Sequence, residues 1–129
     1  CFTHARDSLN NHILQFGYTD SFRNYAHWLW KADILPVTSN QDFFGASIME
    51  AVYCNTLPLL PERLTYPALF NLKENPHLFY KTIEELELKL EKIIKSGSKY
   101  KKGNLEKIAA DFDWVLQAKL YDNVLSTLL

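Results

Sequence analysis

The sequence predicts an α/β fold with a mainly parallel sheet and flanking helices. Short apolar runs at Asp33–Thr38 and Thr56–Pro61 are compact enough for strands, and the first reads as a buried parallel strand. Helical periodicity fills the intervals, at 22–32, from Ala46 to about Cys54 and again from Ile83. Strands that alternate with helices build parallel sheets. With 129 residues, 47% of them hydrophobic and 14% aromatic, the chain is long and apolar enough to fold around a core.

The opening 12 residues are polar and mixed. His12-Ile13-Leu14-Gln15-Phe16-Gly17 then reads as a short strand ending at a glycine. Asp20 or Ser21 can cap the following helix, whose Phe22, Tyr25, Ala26, Leu29 and Ala32 form a stripe predicted to be buried. Trp28 and Trp30 fall beside it, either covering the edge of a core or a neighbouring domain, or stacking on a base. In the strand at 33–38, Pro36 suits a sheet edge or a strand end. The next helix is predicted to end near Cys54 and Asn55, a residue that tolerates a left-handed cap. Residues 62–77 read as an irregular connection with one helical turn around Tyr66–Phe70. A last short strand is expected at His77–Tyr80. Thr82 and Glu85 form a capping box for a helix with the ridge Ile83, Leu86, Leu90 and Ile93. A lysine-rich hinge over 95–102 reads as a solvated loop. Helix then runs from Leu105 to Leu129, with a break expected near Asp111-Phe112-Asp113.

Charge and cysteine usage exclude several classes. A net charge of −1 gives no overall pull toward nucleic acid, membranes or acidic partners. Cys1 and Cys54, the two cysteines, have neither a disulfide framework nor metal-ligand spacing, which favours a reducing, cytoplasmic setting. No apolar run approaches the roughly 20 residues that span a bilayer. The first residue is Cys and there is no basic n-region or apolar h-region, so a chain beginning inside something longer is expected.

The stretch from Ser39 to Ala51 concentrates the chemistry. It is a polar loop leaving a strand, a glycine at a turn, then a helix with a carboxylate inside it. Helix N-termini collect unpaired N–H groups and the positive end of the macrodipole, which suits an anion. Gly45 has no Cβ to hold a ligand off the backbone. Glu50 lies roughly 9 Å along the helix from Phe44 and shares a face with Ala46 and Ser47, away from the Phe44, Ile48, Val52 stripe. A diphosphate at the helix start would leave an attached nucleoside beside Glu50. The competing reading is a structural strand-to-helix turn with a surface Asp and a surface Glu.

Trp30-x-Ala32-Asp33-Ile34, followed by Asp42-x-Phe44-Gly45 running to Glu50-Ala51, resembles the retaining glycosyltransferases of family 4. Phe16-Gly17-Tyr18, Asp42-Phe43-Phe44-Gly45, Glu50-Ala51-Val52-Tyr53-Cys54 and Leu59-x-Pro61-x-Arg63-Leu64-x-Tyr66-Pro67 are similar, in order, to its tRNA-queuosine mannosyltransferase group. The likeness covers roughly residues 10 to 90, and Phe112-x-Trp114 suits the family's C-terminal tail. The resemblance implies a Rossmann-like domain, part of the C-terminal, donor-binding half of a GT-B glycosyltransferase. It implies a nucleotide-sugar substrate such as GDP-mannose, queuosine in tRNA as acceptor, no metal and no cofactor. It assigns Glu50 to the ribose hydroxyls, and Asp42 to the donor sugar as the catalytic carboxylate. The amides of Phe44, Gly45 and Ala46 would hold sugar and diphosphate oxygens, with Gly17 and Tyr18 near the base.

Two positions depart from the family pattern. Asp42 is one methylene shorter than the usual Glu, and Asn55 stands where a glycine is common. The family's first two strands of this domain, with the Arg and Lys that grip the diphosphate, have no counterpart before residue 10. In the doubly wound order those strands would lie between the runs at 13–17 and 33–37. A single truncated domain over 1–129 is therefore expected, with exposed strand edges that favour a rearranged sheet, an oligomer or missing chain. Two rivals stand beside this reading: a family-4 transferase of surface polysaccharide synthesis, and a non-catalytic nucleotide-binding or interaction module.

Overall fold

The computed structural model describes residues 2–97 and 105–128. It is a mixed α/β structure in which three parallel strands, in the order β1-β2-β3, are flanked by helices. This is the arrangement of a Rossmann-like fragment. Helix α1 spans Phe2–Leu9, α2 Phe22–Lys31, β1 Ile34–Pro36, α3 Ala46–Tyr53 and β2 Leu57–Pro61. A short α4 (Tyr66–Leu69) precedes β3 (Phe79–Tyr80), and α5 (Ile83–Ser96), α6 (Leu105–Ala110) and α7 (Trp114–Ser126) complete the order.

The proline-rich β2 is central because its prolines avoid the ladder positions. Leu57 donates to Asp33 O and Leu59 O accepts from Val37, so alternate residues of β2 face β1. Pro58 faces the other side, where β3 has not yet begun, since β3 pairs only with Leu60 and Pro61. Pro61 points toward β1 beyond its last paired residue, Pro36. By the same alternation the N–H that Pro36 lacks would point away from β2, to the edge of β1 that has no strand partner among the described residues. All five residues of β2 are buried.

The core lies around β2 and the inner face of α3, where Ile48, Met49, Ala51 and Val52 are buried. Leu105 and Ala109 of α6 close over α3. Helix α3 ends in a Schellman motif: Thr56 donates to Ala51 O, Asn55 donates to Val52 O, and Asn55 sits at φ 63°. The left-handed cap expected of Asn55 is present. Thr56, fully buried, offers its hydroxyl to Leu29 O and Ala32 O, each at 3.0 Å. One proton shared between two carbonyls ties the end of α2 to the sheet.

Two expectations need correction. No strand forms at 12–17; Asn10–His12 is a single 3-10 turn and the run beyond it is irregular, with Leu14 and Phe16 exposed. A strand needs a neighbour to satisfy its backbone, and β1 pairs only with β2 among the described residues. Phe16 instead lies under the Arg6 guanidinium, 5.8 Å from the ring centroid. The second correction concerns α2, whose apolar stripe contributes no buried residue. Its side chains line a cleft rather than a core.

Elsewhere the expected elements form, although the strand expected over His77–Tyr80 is confined to Phe79–Tyr80, with His77 and Leu78 in a 3-10 turn, and β1, at the edge of the three-stranded sheet, is only partly buried. Thr82 caps α5 by accepting from the Glu85 amide at 3.3 Å, while Glu85 returns its carboxylate to the Lys81 amide at 2.8 Å. The helical break falls at Asp111–Asp113, where the Asp113 side chain caps α7. The hinge expected at 95–102 is in part the last turn of α5, closed by Gly97; its remainder lies outside the described residues. No described helix is long and apolar enough to cross a membrane.

Candidate functional site: a braced carboxylate loop beside an apolar cleft

The loop from Val37 to Gly45 leaves β1 and enters α3, and each of its turns is braced from the segment that follows β2. Arg63 donates to Ser39 O from Nε at 3.2 Å and from Nη2 at 3.0 Å, with a longer bond to Thr38 O at 3.4 Å. The Tyr80 hydroxyl donates to Val37 O. Tyr66, fully buried, donates its hydroxyl to Asp42 Oδ2 at 2.8 Å. Asp42 Oδ1 accepts the Gly45 amide, also at 2.8 Å. Both oxygens of Asp42 are thus engaged in shaping the turn.

Gly45 is the N-cap of α3 at φ 78°, a left-handed conformation that favours glycine. A Cβ there would meet Ile48 Cδ1 and Tyr66 Cε1, each at 3.3 Å, and Asp42 Oδ2 at 3.6 Å. The space a side chain would take is filled by protein. The glycine therefore serves the turn and its packing, and its own N–H is already committed to Asp42. The amides of Phe44, Ala46 and Ser47 have no partner among the described residues, so they are the donors the turn presents.

Glu50 projects from the exposed face of α3 together with Ala46 and Ser47, as the helical spacing required. Its Oε2 accepts the Tyr25 hydroxyl of α2 at 2.7 Å. Each carboxylate of the motif is therefore held by a tyrosine from another element. Burial first, and then the bond to the carboxylate, push Tyr25 and Tyr66 up to about 12, Tyr66 despite an opposing pull from Ser39 and Arg63. Both hydroxyls stay protonated donors throughout the physiological range.

Between α2, α3 and the α6–α7 corner lies a cleft of about 450 Å³. Phe22, Leu29 and Trp30 form one wall, Met49 and Tyr53 another, and Phe44 packs edge-on to Phe112 with centroids 5.3 Å apart. Its polar lining includes Tyr25, Glu50, Cys54 and Asp113, with no cation among the described lining residues. Burial, with Glu50 nearby, raises the Cys54 thiol. Such a cleft suits an uncharged, ring-bearing group; a phosphate would face two carboxylates there. An anion is better placed at the start of α3, where unpaired amides gather. No three His, Cys, Asp or Glu side chains among the described residues cluster as metal ligands would.

The structure brings Glu50, Phe44 and Ala46 together at this cleft, with Gly45 and Asp42 in the adjoining turn. Gly17 and Tyr18 do not join them. Both are exposed in the loop before α2, and neither lines the cleft. Sequence reasoning missed Tyr25 as a partner of Glu50, and it saw Tyr66 and Arg63 without their bonds. Partners 24 and 25 residues apart on separate elements leave no local signature.

Over 89 residues the chain is 33% identical to the tRNA-queuosine alpha-mannosyltransferase of Drosophila melanogaster. The relationship, a distant one, is to a glycosyltransferase. The match takes in 69% of this chain but 22% of that protein, so the chain spans about a fifth of the length of the curated relative. No family model matches the chain. No solved structure matches it either.

Proposed function

We infer that this chain carries the donor-nucleotide-binding part of a retaining glycosyltransferase of the GT-B, family-4 type. The donor is a nucleotide-sugar, with GDP-mannose the first choice, and the acceptor is queuosine in tRNA. The observation that carries this reading is Glu50: a carboxylate on the exposed face of α3, at the rim of an aromatic cleft and eight residues beyond Asp42. The relationship to a mannosyltransferase supports it. In this reading the diphosphate lies at the start of α3 on the Phe44, Ala46 and Ser47 amides. The ribose lies on Glu50, and the uncharged base turns toward the cleft. As the glycosidic bond breaks, negative charge grows on the leaving diphosphate, and the oriented amides stabilise it without reorganising.

Calorimetric titration of GDP, GDP-mannose, UDP and UDP-glucose into the intact polypeptide tests the reading. A preference for one base, with Glu50→Ala weakening that nucleotide at least roughly 10-fold, is the expected result. Unchanged binding in Glu50→Ala removes the donor-site assignment.

A second reading is favoured by Asp42, whose two oxygens are already taken by Gly45 and Tyr66. A carboxylate spent on its own turn suits a nucleotide-binding module without transfer chemistry. Nucleotide binding with no sugar transfer, in wild type and in Asp42→Glu alike, would favour the module.

A further inference from the structure

We propose that Tyr25 is the positioning residue that aims the Glu50 carboxylate at a ribose diol. The inference rests on the reading of Glu50 as the ribose ligand and adds a residue from a different helix to it. Glu50 is exposed and forms no ion pair among the described residues. Left alone, a glutamate in that setting samples several rotamers, and fixing one on binding costs conformational entropy. The Tyr25 hydroxyl removes that freedom with a single 2.7 Å bond to Oε2. An ionised carboxylate has about four lone-pair sites, so this donor leaves Oε1 and one site of Oε2 for two hydroxyls. The vicinal hydroxyls of a ribose are a matching pair of donors.

The surroundings favour this geometry. Tyr25 is half-buried, its ring 6.2 Å from that of Phe22, and both line the cleft. Thr56 holds the far end of the same helix to the sheet. The donor thus comes from an anchored element, and the phenol stays protonated at any pH a cell reaches. Tyr25 touches no reacting atom in this scheme; it acts through Glu50.

The test is to compare GDP with 2′-deoxy-GDP on the intact polypeptide, in wild type, Tyr25→Phe and Glu50→Gln. Tyr25→Phe keeps the ring and removes only the hydroxyl. It is expected to weaken GDP roughly 10-fold and leave 2′-deoxy-GDP nearly unchanged, so that discrimination between the two collapses. A purely structural tyrosine would weaken both alike, and equal weakening, or an unaltered ratio, overturns the proposal. Glu50→Gln separates the two failures. If it abolishes discrimination while Tyr25→Phe does not, the ribose reading stands and Tyr25 is wrong. If it preserves discrimination, or if wild type binds neither these nor UDP and 2′-deoxy-UDP, the ribose reading falls and takes the role of Tyr25 with it.

Discussion

Tyr66 shows how one buried hydroxyl can govern a whole turn. Its ring fills the space beside Gly45, while its hydroxyl is the only donor to Asp42 Oδ2 among the described residues. Tyr66→Phe should cost about 1–3 kcal/mol, the penalty for a charged acceptor left short of a partner. Alkaline pH offers an independent check. The folded hydroxyl sits at about 12 against an ordinary value near 10. A raised value favours the protonated form in the fold, so its stabilisation is complete below pH 10 and is lost as pH rises from 10 to 12. The thermal midpoint of wild type should fall more steeply across that window than that of Tyr66→Phe. Equal slopes would show that Tyr66 carries no such linkage. Asp42 and Glu50 were legible as a spaced pair because helical geometry is local; their tyrosines were not, because only the packed chain brings them near.

At the scale of elements, local rules worked wherever an element could satisfy itself. The cap at Thr82, the left-handed Asn55 and the break at Asp113 are all set by residues within a few positions of one another. The run at 12–17 failed for the opposite reason. Its apolar content suits a strand, but a strand is a pairing, and no neighbour is present among the described residues. Helix α2 carries the same lesson: its periodicity predicted an apolar face without saying what covers it. What secures α2 is Thr56, which serves the carbonyls of Leu29 and Ala32 together. Thr56→Val, nearly isosteric, should destabilise the fold by about 1–3 kcal/mol through those unserved carbonyls. Native-state amide exchange should then speed up in 22–32 ahead of β2, and uniform acceleration would show that Thr56 anchors nothing in particular.

On the scale of the molecule, apolar surface is conspicuous. Trp114, Val115, Leu120, Tyr121, Val124 and Leu125 of α7 are all exposed, and among the described residues one edge of β1 has no strand partner, with Pro36 blunting it. Large exposed apolar patches associate. Residues 1–129 produced alone should therefore sediment as concentration-dependent species, and Leu120→Lys with Val124→Lys should shift them toward monomer. A concentration-independent monomer would show that this surface is tolerated in water. The parallel sheet was legible from the alternation of strand-like and helical runs. The cleft was not legible, since three separate segments build it.

The attachment of α2 has a mechanical meaning. The helix is clamped at its C-terminal end by Thr56, through Leu29 and Ala32, and meets α3 through Tyr25, roughly 6–10 Å along the axis from that clamp. It is a short lever with its fulcrum at the sheet and its working point on a carboxylate. A small tilt at the fulcrum would move the tyrosine sideways and change the width of the cleft in the same stroke. In the proposed reading, grip on the ribose hydroxyls and room for the attached base would therefore be one degree of freedom, and a substitution behind the sheet would change both together.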